Sequence, residues 1–326
     1  MRRHLTLGVA GALVLALAAC ASPGTSPGGS PSADRLAVVA TTTQVGEAAR
    51  AVGGDAIDLT VLLTPGAEVH DFELTPAAAA AVEDASVILK SGAGLEVWLD
   101  DALATIGGED RVRDMSEGID LREPTEAEPA HAEDGGEHAE EEAEHADEVD
   151  PHYWLSAPNA IGLVENVRGA LSEALPEEAE GFAERAAEYV ARLESADAEI
   201  RALIDEIPEE RRGIVTNHDA LGYFIDEYGL RFVGSVFPSL DVSAEPDPGQ
   251  LAELADTIRS EGVTAVFSES AVSPELAEAI AEESGARVVD EPLYTDSLGA
   301  PGSEADSLDG MLLHNARVIH DALIVE

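Results

Sequence analysis

One helical stripe divides this chain and constrains everything around it. From 177 to 207, Phe182, Ala186, Val190, Leu193, Ala196, Ile200 and Leu203 recur at spacings of three and four. That spacing predicts one amphipathic helix of about thirty residues, roughly 45 Å long at 1.5 Å per residue. Before it, short apolar runs at 36–40, 59–63 and 86–89 alternate with alanine- or leucine-bearing helical stretches at 44–52, 76–84 and 95–106. After it the rhythm returns, with strands expected near 213–216, 232–236, 264–267 and 286–289 and helices at 220–228, 248–261 and 274–284. A further helix is expected at 311–323. Strands that alternate with helices form parallel sheets covered on both faces. The expected fold is therefore α/β: two (β/α)4-like lobes, 35–176 and 208–326, with parallel sheets, joined by one long rigid helix at 177–207. Such a helix limits how far the lobes can swing, so the cleft between them should close modestly.

The first 34 residues do not belong to either lobe. Arg2 and Arg3 precede an apolar stretch that ends in Leu17-Ala18-Ala19-Cys20, the only cysteine in the chain. A charged start, a short apolar run and small residues before a cleavage point make residues 1–19 a signal peptide. The run falls short of the ~20 residues a spanning helix needs. The Leu-Ala-Ala-Cys sequence reads as a lipobox, with cleavage before Cys20 and lipid attached to its thiol. Residues 20–34 are rich in Ser, Pro and Gly, a tether that holds a folded body off a membrane. The expected location is the outer face of a bacterial cytoplasmic membrane. With its one cysteine carrying lipid, the protein can form no internal disulfide and must be held by packing.

The formal net charge is −48, and Lys90 is the only lysine. Nucleic acid is thereby excluded as a plausible partner, because phosphate recognition needs a basic surface. The charge peaks in 123–150, which holds 13 carboxylates and no basic residue. Within it, His131, His138 and His145 recur seven residues apart, each followed by Ala and an acid. A segment this polar cannot bury enough apolar surface to order itself, so a disordered loop is expected. Its three histidines make it a candidate auxiliary site for weak metal binding.

Four other stretches each set a ligand-type residue at a strand end or in the loop that follows. They are Pro65-Gly66-Ala67-Glu68-Val69-His70-Asp71-Phe72-Glu73, Asp150-Pro151-His152-Tyr153-Trp154-Leu155, Thr216-Asn217-His218-Asp219-Ala220-Leu221-Gly222-Tyr223-Phe224 and Tyr294-Thr295-Asp296-Ser297-Leu298-Gly299. Ligands of open α/β sheets bind outside the carboxyl ends of the strands, where these loops would lie. Three imidazoles and a carboxylate would make a closed four-donor set for a borderline divalent ion, zinc first. Spacing alone does not join residues so far apart in sequence.

These stretches together resemble those of the metal-binding lipoproteins of ABC importers, the family that captures zinc or manganese for uptake. The resemblance spans nearly the whole chain after the tether. It implies a single site between the lobes, with His70, His152, His218 and Asp296 as ligands, a permease as partner and a monomeric carrier. Val69 stands where a proline usually precedes the first histidine, a departure that removes no ligand. Glu269, at the end of the Ala265-Val266-Phe267 strand, is expected to support the ring of a ligating histidine. Glu68 is expected to lie beside the site or at the surface. His314 and His320 fall in the 311–323 helix and are expected to be structural.

An enzyme reading competes less well. A catalytic zinc keeps one position open for water, and the chain has no His-Glu-x-x-His motif and no Gly-x-Ser-x-Gly elbow between an expected strand and helix. A surface adhesin has no apolar patch in the sequence to support it. Zinc is preferred to manganese because imidazole donors suit it better.

Overall fold

The computed structural model describes residues 35–324, apart from Glu68, Asp71, 124–148, 238–245 and the side chain of Asp101. The expectations for residues 1–34, Cys20, Glu68, His131, His138 and His145 therefore lie outside the described residues.

The first lobe is a four-stranded parallel sheet. β1 (Leu36–Ala40), β2 (Ile57–Val61), β3 (Val87–Lys90) and β4 (Val112–Asp114) lie in the order β2-β1-β3-β4. Side chains alternate across a strand, and here both faces are apolar. Val38, Ala40, Val87 and Leu89 face one cluster, while Val39 and Ile88 face another. The second cluster is covered by Val82 of α2 (Pro76–Asp84) and by Leu99 and Leu103 of α3 (Val97–Ile106). The first is covered by α1 (Thr43–Gly53), whose start is capped by the Thr42 hydroxyl accepting from the Val45 N–H at 3.3 Å.

Two elements carry no expectation from sequence, the short β4 and α4 (Ala157–Ala174). Pro158, Gly162 and Gly169 in α4 resemble breakers, yet Pro158 sits in the first turn, where a missing N–H costs nothing. Its buried face, Ala160, Leu163, Val164, Val167, Ala170 and Leu171, keeps helical spacing.

The long helix α5 runs Ala179–Asp205, 27 residues, after one 3-10 turn at Pro176–Glu178. Its buried face includes Tyr189 and Ile204, where the spacing had placed Val190 and Leu203; those two pack at the rim. Nor is it a bare strut, since α4 and α9 (Leu308–Leu323) lie along it.

The second lobe places β5 (Gly213–Thr216) beside β6 (Arg231–Ser235), and β7 (Ala265–Glu269) beside β8 (Arg287–Leu293), both pairs parallel, with β7 next to β5. α6 (Gly222–Tyr228), α7 (Pro248–Glu261) and α8 (Glu275–Ser284) connect them. Val215 and Val266 face α7 and α8, whereas Ile214, Ala265 and Phe267 face inward. That inward face joins the same cluster as Val38, Leu89, Leu163, Phe182 and Met311. One apolar core thus runs from the first sheet through α4, α5 and α9 to the second.

Candidate metal centre

The four ligand candidates come together at the carboxyl ends of the strands. His70 lies in the loop after β2, His152 opens the 3-10 turn Tyr153–Leu155 before α4, His218 follows β5 by two residues, and Asp296 follows β8 by three. One donor atom from each lies within 4.8 Å of the other three. The imidazole centroids are 5.4 Å apart for His70 and His152, 6.4 Å for His70 and His218, and 5.5 Å for His152 and His218. His152, His218 and Asp296 are buried, and His70 is half-buried.

Each buried imidazole is held by a carboxylate behind it. Asp150 Oδ1 accepts the His152 backbone N–H at 2.9 Å and lies 2.8 Å from Nδ1 of the same residue. On the other side, Glu269 Oε1 accepts the His218 N–H at 3.0 Å, and its Oε2 lies 2.7 Å from His218 Nδ1. The Thr295 hydroxyl donates to that Oε2 at 2.8 Å, so one carboxylate fixes both the second-lobe imidazole and the residue before Asp296. His152 Nδ1 is hydrogen-bonded and His218 Nδ1 lies against its acid without an aligned bond, and in both rings Nε2 is the atom nearest Asp296. Carboxylate-backed histidines of this kind are ordinary in metal sites, because the second partner fixes the tautomer and ring orientation.

What faces the centre is left unsatisfied. His152 Nε2 lies 3.2 Å from Asp296 Oδ1, and His218 Nε2 lies 3.6 Å from Asp296 Oδ2. Neither nitrogen and neither oxygen has an aligned hydrogen-bond partner among the described residues. Buried polar atoms are normally paired, and four such atoms converging on one point form a donor set that a divalent cation would satisfy. The charges agree. Burial alone would raise the Asp296 carboxyl, but the imidazoles of His218 and His152 hold it well below the carboxylate range. Burial alone would lower the His152 imidazole, yet Asp150 and Asp296 together raise it to about 9.

The two halves are also stitched across the cleft. The Gly66 N–H donates to Ser297 Oγ at 2.9 Å and the Leu298 N–H to Thr43 Oγ1 at 2.9 Å. Gln44 Nε2 and Trp154 Nε1 both donate to the Thr295 carbonyl, at 3.2 and 2.8 Å. The loop carrying Asp296 is thus held by the first lobe on both sides of the ligand.

Sequence reasoning quoted Asp150 within a motif but gave it no role; its position two residues before His152 was the available signal. It missed Glu96, a buried acid that accepts from the Thr41 hydroxyl at 2.6 Å and from the Ser91 N–H at 2.6 Å. Through Ser91, whose carbonyl accepts from the Tyr153 hydroxyl at 2.9 Å, this acid supports the turn after His152. The other histidines stand apart from the site: His314 Nε2 lies 3.0 Å from the Pro292 carbonyl oxygen, and His320 faces Asp321 and Glu206. Among the described residues no helix is long and apolar enough to cross a membrane.

Comparison with known proteins gives a consistent picture. A family described as zinc-uptake complex component A, periplasmic, matches residues 38–322. The manganese-binding lipoprotein MntA of Bacillus subtilis is 32% identical over 97% of this chain and 99% of its own length. The iron ABC transporter substrate-binding lipoprotein MtsA of Streptococcus pyogenes is 29% identical over 95% of each. Among solved structures, the periplasmic zinc-binding protein TroA of Treponema pallidum superposes with a TM-score of 0.77 at 26% identity, covering 89% of this chain and 99% of that one.

Proposed function

Because the chain belongs to the zinc-uptake complex component A family, we propose that it is an exported carrier that captures a divalent transition-metal ion, zinc first, and delivers it to the permease of an ABC importer. The observation that carries this reading is the convergence of His70, His152, His218 and Asp296, with unsatisfied donors at its centre. The metal is cargo here. Four protein donors fill a tetrahedral set and leave no position for an activated water, which favours carriage over hydrolysis.

Release follows from how the donors are divided. His70 and His152 come from the first lobe, His218 and Asp296 from the second. Any loosening of the cleft splits the set, and half a set binds far less well. By linkage, metal favours the form that offers all four. The lipobox at Cys20 supports anchorage on the outer face of the membrane, which the mass of the mature amino terminus would reveal.

Zinc is preferred because three imidazoles and one carboxylate suit it, and because zinc stands above manganese in the Irving–Williams order. The relatives named for manganese and iron make competition the decisive test. In competition titration at pH 7, zinc should bind at least about tenfold more tightly than manganese; equal or tighter manganese retention would overturn the zinc assignment and keep the carrier. The same titration on a variant lacking 123–148 should keep the tight event and lose only weak extra binding to His131, His138 and His145. The neck of that segment is already closed, since the Asp150 N–H donates to the Arg122 carbonyl at 3.0 Å.

A further inference from the structure

The carboxylate behind His152 is itself held by a residue that no motif singles out. Arg122 Nη1 lies 2.9 Å from Asp150 Oδ2, with the aspartate fully buried and the arginine 19% exposed. Asp150 thus uses Oδ1 for the ligand and Oδ2 for the guanidinium. Other bonds of Arg122 run to the second lobe. Its Nε donates to Asp226 Oδ2 of α6 at 3.0 Å, and its backbone N–H donates to the Tyr223 hydroxyl at 3.0 Å. Tyr223 returns the connection, its hydroxyl donating to the Asp150 carbonyl at 2.8 Å. A guanidinium presents fixed donors in a plane, so this fork sets the angle between its two acids in a way a flexible ammonium would not.

The fold makes room for this side chain. Gly222, the first residue of α6, faces the guanidinium, and a β-carbon there would overlap Arg122 and crowd Asp150 Oδ2. Its backbone angle is not among the left-handed ones, so conformational freedom does not explain the glycine. Space for Arg122 does.

From this geometry we infer that Arg122 is a positioning residue of the metal centre, which orients His152 through Asp150 and ties that support to the second lobe through Asp226 and Tyr223. The inference rests on the metal-site reading above. A ring held by a pinned carboxylate keeps Nε2 on the centre without a search over rotamers. Once the pin is removed, Asp150 can turn and His152 loses its fixed orientation, although all four ligands remain. Loss of such an outer partner typically costs 10–100-fold in metal affinity.

The test is a double-mutant cycle on the full-length protein, with zinc as the probe and competition titration as the readout. Arg122→Met should weaken zinc binding about 10–100-fold in the native background, and less than about threefold when His152 is already alanine. Equal losses in both backgrounds would show a general structural effect, and no loss in the first would show no role; either overturns the inference. Gly222→Ala, which leaves every charge and ligand in place, should reproduce the loss by displacing the guanidinium. Should Arg122→Met fail to fold, Asp226→Asn at the exposed end of the fork decides instead. It should speed zinc dissociation severalfold, and an unchanged rate sinks the proposal. A native protein that binds no zinc would refute the site itself, a distinct outcome.

Discussion

Truncation of His70 to alanine should weaken zinc binding by at least about 100-fold while lowering the stability of the metal-free protein by only about 1 kcal/mol. Structural zinc sites of four ligands are worth about 10–16 kcal/mol, so one donor carries roughly 3 kcal/mol, or about two orders of magnitude in affinity. His70 is the cleanest ligand to remove because it is half-buried and sits in a loop, whereas His152 and His218 are fully buried against carboxylates. Removing either of those strands a buried acid as well, and the loss would mix site and fold. Competition titration with thermal melts of the metal-free variant checks the pair of effects. Unchanged zinc affinity in a folded His70→Ala protein would mean that the metal, if bound, lies elsewhere.

The second large effect is the dependence on pH. Metal binds only deprotonated imidazole, and an isolated histidine would give up its proton near 6.5. Here the proton is held more firmly. Against burial, Asp150 and Asp296 raise His152 to about 9, and Glu269 with Asp296 raises His218 well above the ordinary value. At neutral pH the metal must therefore expel protons, and affinity should climb with pH beyond 7 toward about 9 rather than level off near 6.5. Between pH 7.5 and 5.5 one displaced proton costs about 100-fold in affinity and two about 10,000-fold. The fold responds with the opposite sign in the metal-free protein. A raised imidazole contributes stability that is full below 6.5 and is lost as pH rises through about 9. Chelator competition from pH 5.5 to 9, with melts of the metal-free protein alongside, tests both slopes; a plateau in affinity above pH 6.5 would contradict the electrostatics.

Much of this architecture could be read in the chain because its strands are short, apolar and buried on both faces. β1 falls at 36–40, as its run of Leu, Ala and Val predicts. β2 starts two residues earlier than its apolar run because Ile57 pairs with Leu36, so the neighbour, and not local composition, sets where the strand begins. α4 escaped because its proline and glycines read as interruptions, and only packing shows otherwise. Gly162 faces Ile119, and a β-carbon there would stand 3.3 Å from Ile119 Cγ1, too close for comfort. The four ligand candidates were legible as motifs, and their meeting was implied only by family likeness. Of their supports, Glu269 was legible as an acid at a strand end, though not which histidine it holds, and Asp150 and Arg122 were not. Glu269 is 51 residues from His218, and Arg122 is 104 from Asp226, so neither pairing leaves a local trace.

The apolar core that passes unbroken from one sheet to the other governs how an empty carrier can differ from a loaded one. Hinging the lobes widely would wet the faces of α4, α5 and α9 that this core covers. Exposing on the order of 400 Å² of apolar surface costs about 10 kcal/mol, as much as the whole stability of an ordinary domain. That is comparable to the about 10–16 kcal/mol a four-ligand zinc site supplies, so a wide opening would consume nearly all of the energy of binding. The two states must then share nearly the same outline, and what distinguishes them is the stiffness of the rim, where the His70 and Asp296 loops are fastened to each other or let go. A membrane partner that accepts only loaded protein would have to sense firmness at that rim, not silhouette.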